Sequence, residues 1–311
     1  MFETIKNAWK IKEIRIKILI TLGLILMFRI GAFVPVAGIN IDAFAQQFGT
    51  NAESLNFLNI MNSIVGGALS NGTIFAMGIG PYINASIIMQ LLAVGIPRLE
   101  RLQKEGEEGR KKIAQLTRYL TIVLAVVQAL GILLGYQGLV DTSIFNGKAE
   151  WLLYIFIILQ FTAGTTLTMW IGERITEYGV GNGISLLIFA GILATAGLSI
   201  QKEIQTIIAG GTAASTSAFS LIVFFVIVVV IFALIVWVDL AERKIPVQYA
   251  KQVKGRKMYG GQSTHIPIRI NASGVLPLIF AYAILSFPSL IVGMFNISGG
   301  FADWLSVNLV P

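Results

Sequence analysis

The sequence contains no cysteine and a single histidine, His265, and only 13% of its 311 residues are charged. Without cysteine the chain has no disulfide, no thiolate metal site and no cysteine nucleophile. It also lacks the GxxxxGK[ST] loop that binds phosphate in many nucleotide hydrolases. Soluble domains carry about 25% charged residues, so the low charge excludes an ordinary soluble fold. We therefore expect an integral membrane protein that is not an enzyme and needs no cofactor.

Apolar residues dominate what is present. Hydrophobic residues make up 55% of the chain, and the mean hydropathy is +0.78. Because a helix needs about 20 apolar residues to cross a ~30 Å hydrocarbon core, these runs predict an all-α, polytopic membrane helical bundle. Seven spans are predicted, over residues 18–36, 73–96, 116–134, 151–171, 183–198, 219–238 and 272–292. The apolar stretch 57–71 is too short to cross and predicts a re-entrant half-helix.

The second predicted span is interrupted. Gly78, Gly80 and Pro81 lie in its middle, where a helix tolerates them only if neighbouring protein satisfies the loosened backbone. Asn84 and Gln90 place amides at membrane depth, where a polar group facing lipid is costly. This span should therefore face other helices or a cavity.

Basic residues predict the orientation. Twenty of the 23 Lys and Arg lie on one side of the seven-span arrangement, mainly in the lead-in 1–17, the loop after the second span and the loop 239–271. By the positive-inside rule the N-terminus is cytoplasmic and the tail 294–311 is external. No Asp or Glu lies in any predicted span, which counts against a proton-coupled carrier.

Three features each leave two interpretations open. Arg29, in the first span, is either a snorkelling side chain or a buried polar contact, since an arginine in lipid costs about 3 kcal/mol. The glycine-rich stretch 179–183 favours an ordinary turn before a helix over a phosphate cradle. His265 lies in a basic loop without Cys or acidic ligands, which favours a plain surface residue over a metal ligand.

Isoleucines recur at helical spacing in two spans. Ile79 and Ile83 are four residues apart in the second span, and Ile184 and Ile188 repeat that spacing in the fifth. Each pair therefore shares one helix face. Such pairs are common in any membrane helix, but beside a broken span and a half-helix they predict a hydrophobic constriction that closes by dewetting.

Four longer stretches carry a family resemblance. TIFAMGIGPYINASIIMQLL, residues 73–92, closely resembles the second-span signature of the SecY protein-translocation channel family, and MWIGERITEYGVGNGISLLIF, residues 169–189, resembles its second signature. GGALSNG before the second span and YGGQSTHIPIRINASGVLP, residues 259–277, are similar to further stretches of that family. Their order over about residues 17–293 identifies the chain as SecY-like.

The resemblance implies a ten-span channel made of two inverted five-span halves. Such a channel passes unfolded secretory polypeptides across the bacterial cytoplasmic membrane and releases apolar helices sideways between spans 2 and 7. The first half is expected at 18–200, and spans 6 and 7 of the second half are expected at 217–293.

The resemblance also implies roles for particular positions. The pore ring would be Ile79, Ile83, Ile184, Ile188 and Ile279. The lateral gate would include Asn84 and Phe287. The plug would be Asn59, Ile60, Met61, Asn62, Ser63, Ile64, Val65, Gly66, Gly67, Ala68, Leu69 and Ser70. The surface that docks the SecA motor or the ribosome would include Arg243, Lys244, Lys251, Lys254, Arg256 and Lys257.

Further partners implied by the resemblance are SecE-like and SecG-like small membrane subunits, signal peptides, nascent polypeptides and anionic lipid. Basic loops attract acidic protein or RNA phosphate. Orientation alone would explain the charge of the 239–271 loop but not its length. Relative to the family the chain ends after span 7, so a fragment, a chain cut at an external loop or one part of a split channel is expected. A secondary transporter and a non-conducting membrane scaffold subunit are the alternative functions.

The charge asymmetry makes a topology prediction. A cysteine introduced at Lys254 should react with a membrane-impermeant thiol reagent only from the cytoplasmic side, and one at Asp141 only from the external side. The chain has no cysteine of its own, so each variant carries a single reactive thiol. Labelling of both positions from the same side would show that the number of spans between them is wrong.

Overall fold

The computed structural model describes residues 9–49, 57–135, 138–141, 150–209, 212–247, 252–254, 257–259, 264–269, 271 and 281. The chain divides into two compact units, one comprising Met1–Leu198 with Phe280–Pro311 and the other comprising Ser199–Ile279. The first eight residues of the lead-in lie outside the described residues, as does the tail 294–311. The predicted seventh span, apart from its residue Ala281, also lies outside them.

The described residues are mainly helical. The helices are α1 (Lys12–Gly31), α2 (Ile41–Gly49), α3 (Phe57–Ile64), α4 (Gly80–Gly95), α5 (Pro97–Lys104), α6 (Glu107–Gly135), α7 (Glu150–Tyr178), α8 (Gly183–Ala209) and α9 (Thr212–Asp239). The strands are β1 (Glu242–Val247), β2 (Gln252–Lys254), β3 (Lys257–Tyr259) and β4 (Thr264–Arg269).

Four helical stretches of the described chain are long and apolar enough to cross a membrane, namely Glu107–Leu134, Trp151–Tyr178, Gly183–Ala209 and Phe219–Asp239. Helices α4 and α5 would make a fifth if they were one span, but they are bent by 103°. Helix α1 falls outside this group because it carries charged residues toward both ends, among them Arg15, Lys17 and Arg29. The predicted class, an α-helical membrane bundle, is confirmed.

The second predicted span is not helical over its first seven residues, which corrects the prediction of a helix over 73–96. Residues 73–79 form consecutive turns, and α4 begins only at Gly80 with Pro81 in its first turn. Gly78 has a φ of +51°, a left-handed conformation that favours glycine. Proline is well suited to the first turn of a helix, because its missing N–H would have no partner there. The Gly–Pro pair therefore starts this helix and does not interrupt it.

The predicted half-helix over 57–71 is helical only as far as Ile64. Gly66 and Gly67, with φ of +73° and +83°, then turn the chain. The N–H of Gly67 donates to the carbonyl of Asn62 at 2.8 Å, which closes the helix end as glycine commonly does. We refer to residues 57–72, this helix and its turns, as the 57–72 segment.

Backbone pairing joins the chain after α1 to the start of the second span. Val36 N donates to Gly72 O at 2.9 Å, and Ile74 N donates to Val34 O at 3.0 Å. Helix α2 lies between α1 and the 57–72 segment. Its Phe44 side chain is fully buried against Phe161 of α7.

A continuous apolar core holds the first unit together. Its buried members come from the 36–44 region, the 57–72 segment, the turns before α4, helices α6 and α7, and the 138–141 stretch after α6. They are Val36, Ile39, Phe44, Leu69, Ala76, Met77, Ala125, Ala129, Ile132, Leu133, Leu139, Leu153, Ile157 and Phe161. The hydroxyls of Thr162, Thr166 and Thr168 donate to carbonyls four residues earlier, so α7 carries these polar groups without unpaired hydrogen-bond donors.

Within its described residues, the basic loop 239–271 contains β-strands, which the sequence pattern did not predict. Strands β1 and β4 pair antiparallel with Ile245 opposite Ile266, and β2 pairs with β3. Alternation places Ile245 and Ile266 on one face of the β1–β4 ladder, while Glu242 and Arg269 face each other on the opposite side. Backbone pairing satisfies N–H and C=O groups that a long open loop would leave to solvent.

The contact between α7 and the turns before α4 makes a stability prediction. A Cβ added at Gly164 would contact the carbonyl oxygen of Ile74, which is backbone and cannot rotate away. Gly164→Ala should therefore lower the free energy of unfolding by about 1–3 kcal/mol, measured by thermal unfolding in detergent.

The matched control for this change is Gly197→Ala in α8, where none of the described residues has a neighbouring atom within 4 Å of the added Cβ. That substitution should be neutral or should stabilise the helix by up to about 1 kcal/mol. Equal stabilities of the two variants would contradict the close approach of Gly164 to Ile74.

Candidate functional site

The isoleucines singled out by spacing come together in one cluster of the first unit. Ile79, just before α4, is 4% exposed and belongs to its buried centre together with Phe28, Phe75, Ile171, Ile175 and Leu187. Ile83, Ile184 and Ile188 are partly buried and pack against that centre. We call Ile79, Ile83, Ile184 and Ile188 the isoleucine cluster. Ile279, the fifth predicted member, lies outside the described residues.

A very small cavity lies beside the isoleucine cluster. Its volume is about 10 Å³, and it is lined by Phe28, Ile64, Val65, Gly78, Ile79, Thr168, Leu187 and Ile188. This is at or just below the room that one water molecule needs, and a water would also need polar partners. Thr168 is the polar side chain of this lining, and its hydroxyl already donates to Gly164 O at 2.9 Å. The space is therefore too small and too apolar to hold an ordered water molecule.

The 57–72 segment closes one side of this cavity. Val65 is 2% exposed and lies so near Gly78 that a Cβ added there would come within 2.7 Å of Val65 Cγ2. Met61 is buried, and its Cε would lie 2.5 Å from a Cβ added at Gly80. Because Gly78 and Gly80 have no side chains, Val65 and Met61 can pack directly against the backbone at these positions.

Helix α8 supports the same segment from another side. A Cβ added at Gly191 would contact the carbonyl oxygen of Ile64, so backbone lies directly on backbone here. The hydroxyl of Thr195, one turn further along, donates to Ser63 O at 3.2 Å. Ile188 and Gly191 thus place the isoleucine cluster and the seat of the 57–72 segment on one face of one helix.

Hydrogen bonds fix the second half of the segment. Ser70 N donates to Asn62 Oδ1 at 3.0 Å, which ties the turns back to α3. Thr73 donates to Ala68 O through both its N–H and its hydroxyl, at 3.2 and 3.1 Å. The segment is therefore a closed, internally bonded unit that ends where the second span starts.

Arg29 faces this site. Its guanidinium carbon lies 5.5 Å from the ring centroid of Phe33. Its Nη1 is buried, and a Cβ added at Gly66 would contact it. Of the two interpretations left open by the sequence, this position favours a contact inside the bundle.

The glycine-rich turn between α7 and α8 serves as a helix cap. The Asn182 side chain accepts hydrogen bonds from the N–H groups of Ile184 and Ser185, at 3.0 and 3.4 Å. Two of the N–H groups that a phosphate would use are therefore engaged, which favours the ordinary turn. Val180 N also donates to the Thr21 hydroxyl at 3.1 Å, joining this turn to α1.

The other predicted site residues are only partly described. Asn84 is half-buried on α4, whereas its proposed gate partner Phe287 lies outside the described residues. Arg243 and Lys244 are exposed on β1, and Lys254 and Lys257 lie opposite each other in the β2–β3 pair. His265 is exposed on β4. Lys251 and Arg256 lie outside the described residues, as do the side chains of Asn59 and Ile60.

Sequence reasoning missed three residues of the site: Gly191, Thr195 and Thr168. Each acts through a contact with residues far away in sequence, such as that of Thr195 with Ser63. The one available signal was spacing, since Ile184, Ile188 and Gly191 fall on one face of α8.

Comparison with known proteins bears on what this arrangement is. The SecY family model matches residues 73–310. The protein translocase subunit SecY of Halalkalibacterium halodurans is 44% identical over 309 residues, covering 98% of this chain and 70% of the relative. That of Bacillus subtilis (strain 168) is 41% identical over 312 residues, covering 99% of this chain and 70% of the relative. The chain belongs to the SecY family.

Solved structures agree in fold. One described as a protein conducting channel gives a TM-score of 0.62 at 22% identity, and one that concerns the plug domain of the SecY protein gives 0.63 at 23% identity. Each match covers 92% of this chain but 60% of the solved chain. The chain thus spans about 70% of the length of its curated SecY relatives and less of these structures. The resemblance stated from sequence motifs is confirmed.

The contact between Gly191 of α8 and the 57–72 segment leads to a prediction that labelling of a single introduced cysteine can test. In a Val65→Cys background, Gly191→Ala should make Cys modification by a maleimide about tenfold or more faster. The added methyl group contacts the Ile64 carbonyl and lifts the segment, and overpacking of this kind typically costs enough to shift an opening equilibrium by that factor.

Gly197→Ala is again the matched control, because it adds the same methyl group to the same helix in open space. Its labelling rate should equal that of the parent. Equal rates for Gly191→Ala and Gly197→Ala would mean that the 57–72 segment does not rest on α8.

Proposed function

We propose that the chain is the pore-forming subunit of a protein-conducting channel, and that the structure represents its sealed state. The observation that carries this proposal is that Ile64 and Val65 of the 57–72 segment line the same ~10 Å³ cavity as Ile79 and Ile188. In this proposal the isoleucine cluster is the pore ring and the 57–72 segment is the plug that blocks it.

The chemistry of the ring suits an unfolded polypeptide as cargo. Isoleucine side chains make no hydrogen bonds, so they impose no sequence-specific pairing on a chain that passes. They can close around it by dispersion contacts alone. An apolar constriction also excludes water and ions when it is narrow, because hydrating it is unfavourable. The apolar side chains of the ring therefore explain both why the closed channel holds back ions and why the open channel accepts polypeptides of many sequences.

Opening requires the plug to leave its seat. The plug is held by apolar packing of Met61 and Val65 and by hydrogen bonds from Thr195, Val36 and Thr73. Its own hydrogen bonds, such as that of Ser70 to Asn62, are internal and move with it. Displacement as a unit therefore strands few polar groups, which keeps the barrier to opening low.

Apolar helices are proposed to leave sideways between the second and seventh spans. Such a helix gains roughly 0.3 to 0.6 kcal/mol per apolar residue by reaching lipid. Helix α4 has small residues on its surface, and Asn84 supplies a weak polar contact of about 1 kcal/mol at this seam. Phe287 is proposed as the facing residue of span 7.

The β-strands of the 239–271 region are proposed as the docking surface on the cytoplasmic side. Arg243 and Lys244 are exposed there, and Lys254 lies opposite Lys257. Basic residues concentrated in one stretch of chain attract a negatively charged partner. A structural neighbour with a TM-score of 0.61, Sec61, has been solved in a canine ribosome–channel complex. RNA phosphate or an acidic motor surface, as of SecA, is the proposed partner, alongside small SecE-like and SecG-like subunits.

The proposal is tested by asking whether a translocating chain touches the ring. A thiol crosslinker on Ile188→Cys should capture a secretory polypeptide stalled during passage, because Ile188 lines the closed cavity. Leu193→Cys on the same helix is the matched control, since Leu193 is 58% exposed and does not line the cavity. Capture should be several-fold stronger at 188, and equal or weaker capture there would refute a pore along this face of α8.

A further inference from the structure

Arg29 lies where the plug meets helix α1. It occupies the last turn of α1, and its guanidinium is stacked 5.5 Å from the Phe33 ring centroid. Its Nη1 is fully buried, and no hydrogen-bond partner for it lies in the part of the chain that the structure describes. Because a Cβ at Gly66 would contact Nη1, the plug backbone itself helps to cover this nitrogen.

Two opposing effects act on Nη1 when the plug is seated. Helix α3 ends at Ile64, and the partial negative charge of helix C-terminal carbonyls attracts a nearby cation. On the other side, a buried N–H of a charged group without an acceptor has lost its water and gained no replacement. The second effect is typically larger than the first. The seated plug is therefore destabilised by the guanidinium that it covers.

The stacking on Phe33 does not alter this balance. Phe33 immediately follows α1, so it stays with Arg29 whether or not the plug is seated. It holds the guanidinium in position without favouring either state. What changes when the plug leaves is access of water to Nη1.

We propose that Arg29 primes the plug for release, acting as a destabilising contact built into the closed channel. This inference rests on the proposed function, since it treats the 57–72 segment as a plug that leaves its seat. Apolar packing at Met61 and Val65 keeps the plug seated, and Arg29 reduces the net stability of that seat. A modest gain from a bound signal helix is then enough to open the channel.

The test uses the full chain in lipid vesicles with Val65→Cys as its single thiol. Maleimide modification of this buried position reports how often the plug opens. Arg29→Met replaces the charged side chain with an unbranched apolar one, which removes the charge and the hydrogen-bond donors. It should slow modification at least about fivefold, because the closed state no longer buries an unsatisfied donor.

Arg174→Met is the matched control. Arg174 also stacks on aromatic rings, with its guanidinium carbon 5.5 Å from the Trp170 centroid and 5.4 Å from that of Tyr178, but it does not contact the plug. Its replacement should leave the labelling rate unchanged. An unchanged rate in Arg29→Met would overturn the inference, and a faster rate would make Arg29 an anchor instead.

A second pair of variants leaves Arg29 in place. Gly66 and Gly67 both have positive φ, so alanine strains the backbone at either position. At Gly66 the new methyl group would contact Nη1 and would also lie 3.1 Å from the Gly191 carbonyl oxygen, whereas at Gly67 the nearest described atom is Ser70 Oγ at 4.0 Å. Gly66→Ala should speed labelling more than Gly67→Ala does, and Arg29→Met should reduce that difference. A difference that Arg29→Met leaves unchanged would come from the Gly191 contact alone and would overturn the inference.

These readouts are independent of passage of a polypeptide. If Arg29→Met slows labelling while the crosslinker at position 188 captures nothing, the release contact stands and the channel proposal fails. If capture at 188 succeeds while labelling is unaffected by Arg29→Met, the channel stands and the release contact fails.

Discussion

The close approach of the Ile64 carbonyl to Gly191 is the contact on which the closed arrangement depends. Backbone can lie on backbone only because helix α8 has no Cβ there. That approach puts Val65 within reach of Gly78 and lets Thr195 bond Ser63. It also leaves so little space beside Ile79 and Ile188 that water does not fit. The small space beside the isoleucine cluster follows from one missing side chain on α8 and two more at Gly78 and Gly80.

The remaining architecture serves to hold this seat in register. The 34–36 stretch pairs with 72–74, so the end of the 57–72 segment and the turns before α4 are fixed together. Gln160 of α7 accepts from Ala37 N and donates to Ala37 O, both at 3.2 Å, which extends the same connection into the helical core. Helix α7 also approaches through Gly164 to Ile74. The seat is thus supported from three directions by elements that are themselves well packed.

Helical periodicity and family motifs were sufficient to predict the bundle and the clustering of Ile79 and Ile83 with Ile184 and Ile188. Two residues four apart lie on the same face of a helix whatever surrounds that helix, so the shared face of each isoleucine pair can be predicted from local sequence. The role of Gly191 is not local, because it depends on which backbone lies opposite. Pro81 was misread for a related reason: the same residue ends, kinks or begins a helix, and only the turns at 73–79 decide which. The β1–β4 ladder was missed because ERKIPV and THIPIR do not show the regular alternation of apolar and polar residues that predicts a strand.

The sharp bend between α4 and α5 has a consequence for the bilayer. Helix α4 has 16 residues, so it rises only ~24 Å, less than the ~30 Å of hydrocarbon. The 103° bend turns Arg98, Arg101 and Lys104 outward as exposed cations, and Lys104 bonds Glu100 at 2.6 Å, which lowers the pKa of that carboxyl. Lipid headgroups that bind these cations fix the depth of one end of α4 in the membrane. The difference between the length of α4 and the thickness of the hydrocarbon core must then be accommodated at its other end. That other end is Gly80, next to the turns that carry Gly78, so the thickness of the membrane acts on the place where the 57–72 segment packs.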